Sequence, residues 1–574
     1  MIQAEKIESR TMKSRLCFLS MLYRQKSILS LVLIFSFAIS TQDIKAKVEL
    51  PSLLSSGMIV QRGEPVRLWG VADPGETVVV SAVCWENGVE ASIGEENVIA
   101  DYNGKWAVEL PALKAGGPYE ITVNDVTLKN ILSGDVFLCS GQSNMELPVR
   151  RVMDRFADEI EAYSSDVIRE FRVPSETEFH EPRENFDGGS WKPATIGNVM
   201  EFSALGYFIA KSLDSRSGVP VGIINASWGG TPIEAWMSEE SLAPISPRTI
   251  NEKRIYENDA YREHIKTLEK ENHIRWNEAL YRGDAGINGA IKWYNTEFDD
   301  SKWNGVDILS DTMPSWSNDG LNPVNGSHWF RKNITLSEAQ AKESAVLRLG
   351  CMVDADSVYV NGVFVGSTSY QYPPRIYSIP EGVLKDGENN ITIRLFSHCD
   401  DPRFVKEKPY KLIVGRDSIN LDGRWRYHLG APMPPAPDME FYCYKPTVLY
   451  NAMIHPLASL KLAGVVWYQG ESNVSRRNEY SRLLEAMIKD WRDLFGNNDL
   501  PFYVVELADF LHPNDKEGRK AWAEMRMAQA EAAQALPGVV LIRNSDLGEW
   551  NDIHPLDKKT LATRVVDEIV LRMR

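Results

Sequence analysis

The stretch FLCSGQSNMEL, from Phe137 to Leu147, passes from an apolar run through Gly141 into polar residues. The run DVFLCS predicts a short buried strand, and the residues after Ser143 predict a helix. A tight turn between them exposes the Ser143 hydroxyl and directs backbone N–H groups toward an oxyanion. A helix cap explains the same serine equally well. Because Met145 replaces the second glycine of a GxSxG elbow, an α/β-hydrolase is disfavoured.

Four later apolar runs are similar to the strand before Ser143, and amphipathic helical patterns lie between several of them. The clearest helical stripe comprises Tyr480, Leu483, Leu484, Met487, Ile488, Trp491 and Leu494. This alternation predicts an α/β fold, in which helices cover both faces of a parallel sheet. The strand-like runs are VGIINAS (221–227), GVVWYQ (464–469), PFYVVEL (501–507) and GVVLIRN (538–544).

Short β-type runs predict two further domains around this α/β fold. Residues 47–133 predict an N-terminal β-sandwich. Residues 291–439 return to β-type sequence, and Asn361-Gly362 in SVYVNGVFVGS is a strong signal for a type I′ hairpin. We therefore expect a discontinuous α/β domain, residues 134–290 and 440–574, that is interrupted by an inserted all-β domain. The charged stretch 248–282 is expected to be helical.

Residues 1–46 predict an export signal. Basic Arg24 and Lys26 precede the apolar run from Ser27 to Ser40, and Ala38 and Ser40 suit a cleavage site. A membrane span needs about 20 apolar residues, so we expect a periplasmic or extracellular protein without stable membrane insertion. The alternative is a single membrane anchor.

Charge and cysteine usage narrow the classes of partner. The formal net charge of -16 argues against a nucleic-acid partner. The six cysteines are scattered and show no metal-binding spacing, so no metal or cofactor is expected. A disulfide between Cys351 and Cys399 is one alternative for two of them.

A nucleophilic serine needs a base, and the base needs an orienting carboxylate. His554 lies in DLGEWNDIHPLDK after the last predicted strand, with Asp552 two residues before it. His512 with Asp509 is the rival pair, and spacing alone slightly favours it.

Two other loops follow predicted strands and carry candidate ligand-binding groups. NASWGGTPIEAW (225–236) contains Gly229 and Gly230, and WYQGESN (467–473) contains Gln469 and Asn473. Glycine backbone and side-chain amides suit an oxyanion hole, although loop hydrogen bonding explains them as well. The candidate substrate-binding residues are Gln142, Trp228 and Glu471.

Six segments together resemble the sialate O-acetylesterase branch of the SGNH hydrolases, from Gly134 to about Trp236 and from Tyr450 to Lys559. The resemblance implies a three-layer α/β/α, flavodoxin-like fold. The segments are GQSNME, SWGGTPIEAW, YNAMIHPL, VVWYQGESN, MIKDWRDLFGNNDLPFYVVELADF and DIHPLDK.

Carried over residue by residue, the resemblance makes Ser143 the nucleophile and His554 the general base. The family's oxyanion glycine falls on Gly229 or Gly230, with Gly230 as our candidate. Its side-chain donor falls on Gln469 or Asn473, because the common Gly-x-Asn-Asp spacing is not kept.

The orienting acid departs from the family pattern. Many SGNH enzymes place an aspartate three residues before the histidine, where this chain has Asn551. Asp552 is therefore the first candidate and Asp546 the second. His512 does not match the family's closing motif.

The inserted domain resembles the jelly-roll sugar-binding modules of family 2 glycoside hydrolases. The residues that carry this resemblance are WFRKNITL, DADSVYVNGVFVG and IYSIPEGVLKDGENNITIRL. Such modules either contact glycan or act as structural braces.

We therefore expect an exported serine esterase that removes acetyl groups from a carbohydrate. Sialic acid, acetylated xylan and xyloglucan oligosaccharides are the candidate substrates, and Arg476 and Arg477 lie near the site in sequence for a sialic carboxylate. The alternatives are a glycoside hydrolase that uses Glu146 and Glu471, or a non-catalytic glycan-binding protein.

Overall fold

The computed structural model describes residues 48–86, 88–309, 324–398 and 402–572. The predicted export signal lies outside these ranges, as does Cys399 of the candidate disulfide. The Cys351 thiol is free and buried. Within the described ranges, no helix combines the length and apolar character needed to cross a bilayer.

The strands in chain order are β1 (Ile59–Gln61), β2 (Val66–Val71), β3 (Thr77–Glu86), β4 (Val89–Ile99), β5 (Lys105–Leu110), β6 (Gly116–Val123), β7 (Val126–Gly141), β8 (Ser165–Arg172), β9 (Trp191–Ala194), β10 (Val221–Ser227), β11 (Asn304–Asp307), β12 (Asn325–Leu336), β13 (Ala345–Leu349), β14 (Met352–Val353), β15 (Ala355–Val360), β16 (Val363–Thr368), β17 (Ile376–Ile379), β18 (Gly387–Ser397), β19 (Arg403–Phe404), β20 (Tyr410–Val414), β21 (Asp417–Asn420), β22 (Arg424–Met433), β23 (Gly464–Tyr468), β24 (Phe502–Val505) and β25 (Val539–Ile542).

The α-helices are α1 (Ser143–Glu146), α2 (Met153–Glu161), α3 (Ile196–Val199), α4 (Ala204–Ser217), α5 (Glu239–Leu242), α6 (Pro247–Tyr256), α7 (Asp259–Gly283), α8 (Ala285–Asn288), α9 (Glu338–Ala341), α10 (Arg477–Leu494), α11 (Lys516–Ala535) and α12 (Lys558–Arg572). Helices α6 and α7 confirm that the charged stretch 248–282 is helical. Short 3₁₀ turns include Val149–Arg151, Ile233–Trp236, Glu471–Arg476 and Ser545–Leu547.

A parallel sheet organises the α/β part of the chain. Its strands are ordered β25–β24–β23–β7–β10–β8, and β9 adds to the β8 edge in antiparallel orientation. Every residue of β10 and β23 is buried, as expected when helices cover a parallel sheet. Helix α4 pairs with α12 and α10 pairs with α11 against this sheet. The α/β prediction is confirmed.

The predicted stripe on α10 is also confirmed. All of its members except Leu494 are buried, and Leu494 packs partly buried against the same core. The Trp491 ring meets Trp467 of β23 at 5.6 Å between ring centroids. The period of the apolar residues therefore located the face of α10 that packs on the sheet.

Strand β7 connects the N-terminal region to the parallel sheet without a break. Its first half pairs with β1 and β6, and its second half pairs with β10 and β23. The predicted domain boundary at 133/134 thus lies inside a continuous strand. Apolar residues of both regions belong to one hydrophobic core, so the N-terminal strands brace the strand that leads to Ser143.

The inserted region is all β in its main body. A six-stranded sheet, β11–β22–β12–β18–β15–β16, and a four-stranded sheet, β17–β13–β20–β21, enclose a separate apolar core. Asn361 and Gly362 both have positive φ between β15 and β16, which confirms the predicted hairpin turn.

Candidate active site

Ser143 begins α1 directly after β7, at the carboxyl edge of the parallel sheet. Gly141 ends the strand with φ of +133°, and a Cβ there would lie 2.1 Å from the Tyr468 carbonyl oxygen. The Gln142 N–H donates to the same carbonyl at 3.0 Å. Only glycine fits so close a crossing, so β23 fixes the turn that presents Ser143.

His554 meets Ser143 across this turn. The distance from His554 Nε2 to Ser143 Oγ is 2.8 Å. Burial, with smaller contributions from Lys558 and Arg151, lowers the pKa of His554 to about 3. The imidazole is therefore neutral at physiological pH and can accept the hydroxyl proton through Nε2.

Asp552 is the carboxylate that lies beside His554. Its Oδ1 accepts the His554 backbone N–H at 2.9 Å and lies 3.9 Å from Nδ1. Its Oδ2 accepts from Lys408 Nζ at 3.1 Å. Within the described chain, Nδ1 is buried and has no hydrogen-bond partner. Asp546, the second candidate, forms a bidentate ion pair with Arg564 instead.

Two backbone N–H groups, one in the serine turn and one in the loop after β10, make no hydrogen bond within the described chain. No acceptor in the described chain takes the N–H of Ser143 or Gly230. By contrast, the Gly229 N–H donates to Glu146 Oε2 at 2.7 Å. Gly230 has φ of +77°, and a Cβ there would lie 1.8 Å from the Tyr444 hydroxyl oxygen. Of the two candidate glycines, Gly230 is the one whose N–H is free for an oxyanion.

The predicted side-chain donors are engaged in joining two loops. Gln469 Nε2 donates to Thr231 O at 3.1 Å and to Asn473 Oδ1 at 2.8 Å. Asn473 Nδ2 donates to Glu234 Oε2 at 2.9 Å. An amide nitrogen carries two hydrogens, so the Gln469 amide has none left for an oxyanion in this arrangement.

Gln142 and Glu471 hold loops together around the serine turn. Gln142 Oε1 accepts N–H groups of Gly470 and Ser472 at 3.3 Å each. Glu471 Oε1 accepts from Asn144 Nδ2 at 2.7 Å. Burial raises the pKa of Glu471. Gln142 and Glu471, two of the three predicted substrate-binding residues, therefore form hydrogen bonds within the protein.

Sequence reasoning did not assign roles to Asn144 and Lys558. Asn144 Nδ2 also donates to the Ile553 carbonyl at 2.9 Å, and its Oδ1 accepts from Lys558 Nζ at 2.6 Å. Asn144 therefore ties the serine turn to the His554 loop. Burial, opposed by Glu471 and other carboxylates, lowers the pKa of Lys558 to about 7. Asn144 lies within GQSNME and Lys558 within DIHPLDK. Their positions in these two motifs were the only sequence features that could have pointed to a role in the site.

The rival sequence candidates lie in other environments. His512 packs edge-on against Trp550 at 5.0 Å between ring centroids, and its Nδ1 accepts the Asn514 N–H. Glu146 pairs with Arg172 at 3.0 Å and accepts the Gly229 N–H. The Glu146 and Glu471 carboxylates therefore bind different partners.

Two aromatic residues, Tyr372 and Trp228, lie in loops that contact the His554 ring or the serine turn. The Tyr372 ring of the inserted domain stands edge-on to the His554 ring, with centroids 5.2 Å apart and planes at 87°. Trp228 is partly buried, and its N–H donates to the Gly141 carbonyl at 3.1 Å. Tyr372 escaped the sequence reasoning because no local pattern shows which loop of an inserted domain reaches a distant site.

Arg151 lies near His554 and pairs with no acidic side chain in the part of the chain that the structure describes. Arg151 Nη2 donates to the Tyr372 carbonyl at 3.4 Å, and Arg151 Nε is buried without a hydrogen-bond partner in the described chain. The two arginines expected near the site are committed: Arg476 pairs with Glu234 at 2.6 Å, and Arg477 pairs with Glu524 at 2.5 Å.

No group of three or more His, Cys, Asp or Glu side chains is arranged to hold a metal ion in the part of the chain that the structure describes.

Comparison with known proteins gives a consistent family. Residues 133–299 and 439–564, just over half of the chain, match the model of the family described as "Carbohydrate esterase, sialic acid-specific acetylesterase". The sialate O-acetylesterase of Rattus norvegicus is 23% identical over 548 residues, which cover 90% of this chain and 71% of that protein. The sialate O-acetylesterase of Homo sapiens is 31% identical over 212 residues, which cover 33% and 39%.

A solved structure shares the fold. The crystal structure of a carbohydrate acetylesterase from Xanthomonas citri superposes with a TM-score of 0.52 at 24% identity. The match covers 91% of this chain and 74% of that one.

Proposed function

The chain belongs to the carbohydrate esterase, sialic acid-specific acetylesterase family, and from this premise we propose that it hydrolyses O-acetyl esters on sugars with Ser143 as nucleophile. The observation that carries the proposal is the 2.8 Å contact between Ser143 Oγ and His554 Nε2 at the edge of the parallel sheet. A glycoside hydrolase needs two carboxyl groups that flank the scissile bond, whereas Glu146 binds Arg172 and the Gly229 N–H, and Glu471 is held by Asn144.

In the proposed mechanism, Ser143 Oγ attacks the acetyl carbonyl carbon while His554 Nε2 takes the hydroxyl proton. The Ser143 and Gly230 N–H groups stabilise the negative oxygen of the tetrahedral intermediate; each such donor contributes about 3 kcal/mol. His554 returns the proton to the departing sugar oxygen, which leaves an acetyl-serine. Water then attacks this ester by the same route and releases acetate.

Asp552 is the proposed orienting acid. Its Oδ1 lies near both His554 nitrogens that face its loop, the backbone N at 2.9 Å and Nδ1 at 3.9 Å. A shift of about 1 Å brings Oδ1 within hydrogen-bond distance of Nδ1, and catalytic hydrogen bonds commonly shorten when substrate binds.

We further propose that the preferred sugar carries a carboxylate, as sialic acid does. Arg151 supports this choice, since a guanidinium without an acidic partner can form a bidentate pair with a carboxylate. Two observations support a location near His554: Arg151 binds the carbonyl of Tyr372, whose ring contacts His554, and the Arg151 charge helps to lower the pKa of His554. Acetylated xylo-oligosaccharides, which lack that charge, are the alternative substrate.

The finer architecture belongs to the same proposal. The order of the parallel strands and the two helix pairs support a three-layer SGNH fold. The two sheets of residues 291–439 around one core support a jelly roll. Export rests on residues 1–46 of the sequence alone.

Acetate release tests the activity directly. The wild-type protein should release acetate from acetylated sialic acid and from a small aryl acetate, and it should not shorten an acetylated glycan chain. Ser143→Ala should lose at least about 10⁴-fold in kcat. Ser215→Ala, an exposed helix serine, is the matched control and should retain full activity. Acetate release by Ser143→Ala at the wild-type rate would overturn the proposal.

A further inference from the structure

The loop at residues 406–408 of the inserted domain lies against the loop that carries His554. The Lys406 carbonyl accepts from Asn551 Nδ2 at 2.7 Å, and Glu407 Oε2 accepts from Trp550 Nε1 at 2.8 Å. Lys408 Nζ donates to Glu549 Oε2 and Asp552 Oδ2, each at 3.1 Å. Three consecutive residues thus bind the 549–552 segment, two residues before the proposed general base.

The backbone of this loop adopts a conformation that non-glycine residues rarely take. Glu407 has φ of +57°, in the left-handed region where a Cβ is disfavoured. The turn directs the Glu407 and Lys408 side chains to successive partners on the His554 loop. Such outliers persist where surrounding contacts hold them and are concentrated at functional sites.

The Lys408 contact is an ion pair removed from solvent. The side chains of Lys408 and Asp552 are 13% and 12% exposed. Burial lowers the pKa of Lys408, but Asp552 and Glu549 outweigh this and leave it above its ordinary value. The ammonium is therefore charged, and losing it would leave two carboxylates without their partner in a poorly solvated place.

We propose that Lys408 is a positioning residue for the esterase reaction, which the inserted domain supplies to the hydrolase site. By holding Asp552 Oδ2, it turns Oδ1 toward His554. It also offsets the negative charge of Asp552 and Glu549 next to the imidazole. The inserted domain is then part of the catalytic apparatus rather than only a glycan-binding module. This inference rests on the proposed function.

The pH dependence of kcat/KM separates this role from simple bracing. Without the Lys408 charge, His554 experiences a more negative surrounding, so its pKa rises. Because the neutral imidazole is the active form, the acid limb of the profile should move to higher pH. A unit charge several Å away at an effective dielectric constant of about 20 shifts such a limb by about one pH unit. In the described chain, the charged or titratable groups near His554 or Asp552 are Lys408, Glu549, Lys558, Arg151, Tyr372 and Cys351.

The test compares Lys408→Gln with Lys408→Arg in the full chain. Lys408→Gln should lose about tenfold or more in kcat, because a misplaced catalytic group slows the reaction, and should show the shifted limb, while Lys408→Arg keeps the charge and should restore both. Lys342→Gln, which removes an exposed inserted-domain lysine paired with Glu338, should leave both unchanged. Activity at pH 7 after exposure to each acidic pH shows whether acid unfolding contributes to the limb.

The outcomes distinguish the two proposals. A Lys408→Gln profile whose acid limb coincides with wild type, or an arginine variant as impaired as the glutamine one, overturns the inference while Ser143→Ala remains inactive. Undiminished activity of Ser143→Ala overturns the proposed function itself. Thermal unfolding of each variant confirms that the folded protein is being measured.

Discussion

At the scale of single residues, the candidate site is marked by polar groups that have no hydrogen-bond partner within the described chain. Most polar side chains around Ser143 are bound to one another, as Gln469 is to Thr231 and Asn473. The Ser143 and Gly230 N–H groups and Arg151 Nε are exceptions within the described chain. Groups without internal partners are the ones available to a substrate.

Replacing Arg151 should therefore change substrate preference more than chemistry. We expect Arg151→Gln to raise KM for acetylated sialic acid by about 10- to 100-fold, the value of a charge-assisted hydrogen bond. KM for acetylated xylo-oligosaccharides and an aryl acetate should stay near the wild-type values. The neighbouring Arg150 pairs with Glu201 on the surface, so Arg150→Gln is the control. An equal rise for charged and neutral sugars would contradict carboxylate recognition.

At the scale of elements, the parallel sheet positions the candidate groups: Ser143 follows β7, Gly230 follows β10 and Gln469 follows β23. The sequence predicted five of the parallel strands, β7, β10, β23, β24 and β25, because continuous apolar runs are characteristic of a buried parallel sheet. It did not predict β8, whose sequence SDVIREFR mixes charged and apolar residues. It also predicted that Ser143 follows a strand directly and that His554 lies in the loop after the last strand, and the structure brings these two side chains to 2.8 Å. The loops of the inserted domain could not be assigned, since Tyr372 and Lys408 reach the site through long-range packing that leaves no local periodicity. Arg151 was missed because its lack of an acidic partner is visible only in three dimensions.

The crossing of β7 and β23 should tolerate no side chain at Gly141. A methyl group there would meet the Tyr468 carbonyl at 2.1 Å with φ of +133°, so Gly141→Ala should cost about 3 kcal/mol or more in unfolding free energy. Displacement of Ser143 should also abolish esterase activity. Gly197 in α3 has no atom within 4 Å of such a methyl group, so Gly197→Ala should be neutral or slightly stabilising. Chemical denaturation of both variants measures the difference.

At the scale of the whole molecule, a shared hydrophobic core joins the N-terminal strands to the parallel sheet. We therefore expect both regions to unfold together, so that one buried ionisable group affects the free energy of unfolding of both. Glu170 of β8 is a clear case. Its side chain accepts the Ser203 N–H at 3.0 Å, and burial raises its pKa to about 7. A folded-state pKa above the unfolded one means that the unfolded chain loses its proton first as pH rises.

The free energy of unfolding should consequently fall between about pH 4.5 and pH 7 relative to a variant without this carboxyl. For Glu170→Gln the difference from wild type should change by up to about 3 kcal/mol across that window, as measured by denaturant unfolding at several pH values. Glu161→Gln, at an exposed position of α2, should parallel wild type. Parallel curves for Glu170→Gln and wild type would contradict the buried-carboxyl assignment.

The position of β7 in the centre of the sheet has a consequence for biosynthesis. Ser143 and His554 are 411 residues apart, and ribosomes add about 5–20 residues per second. For tens of seconds the growing chain therefore carries its serine without its histidine. During that interval β10 can pair with one edge of β7, while the other edge waits for β23. An open, apolar strand edge is prone to pair with other chains, so the period before residues 464–468 emerge is when this protein most needs protection from aggregation.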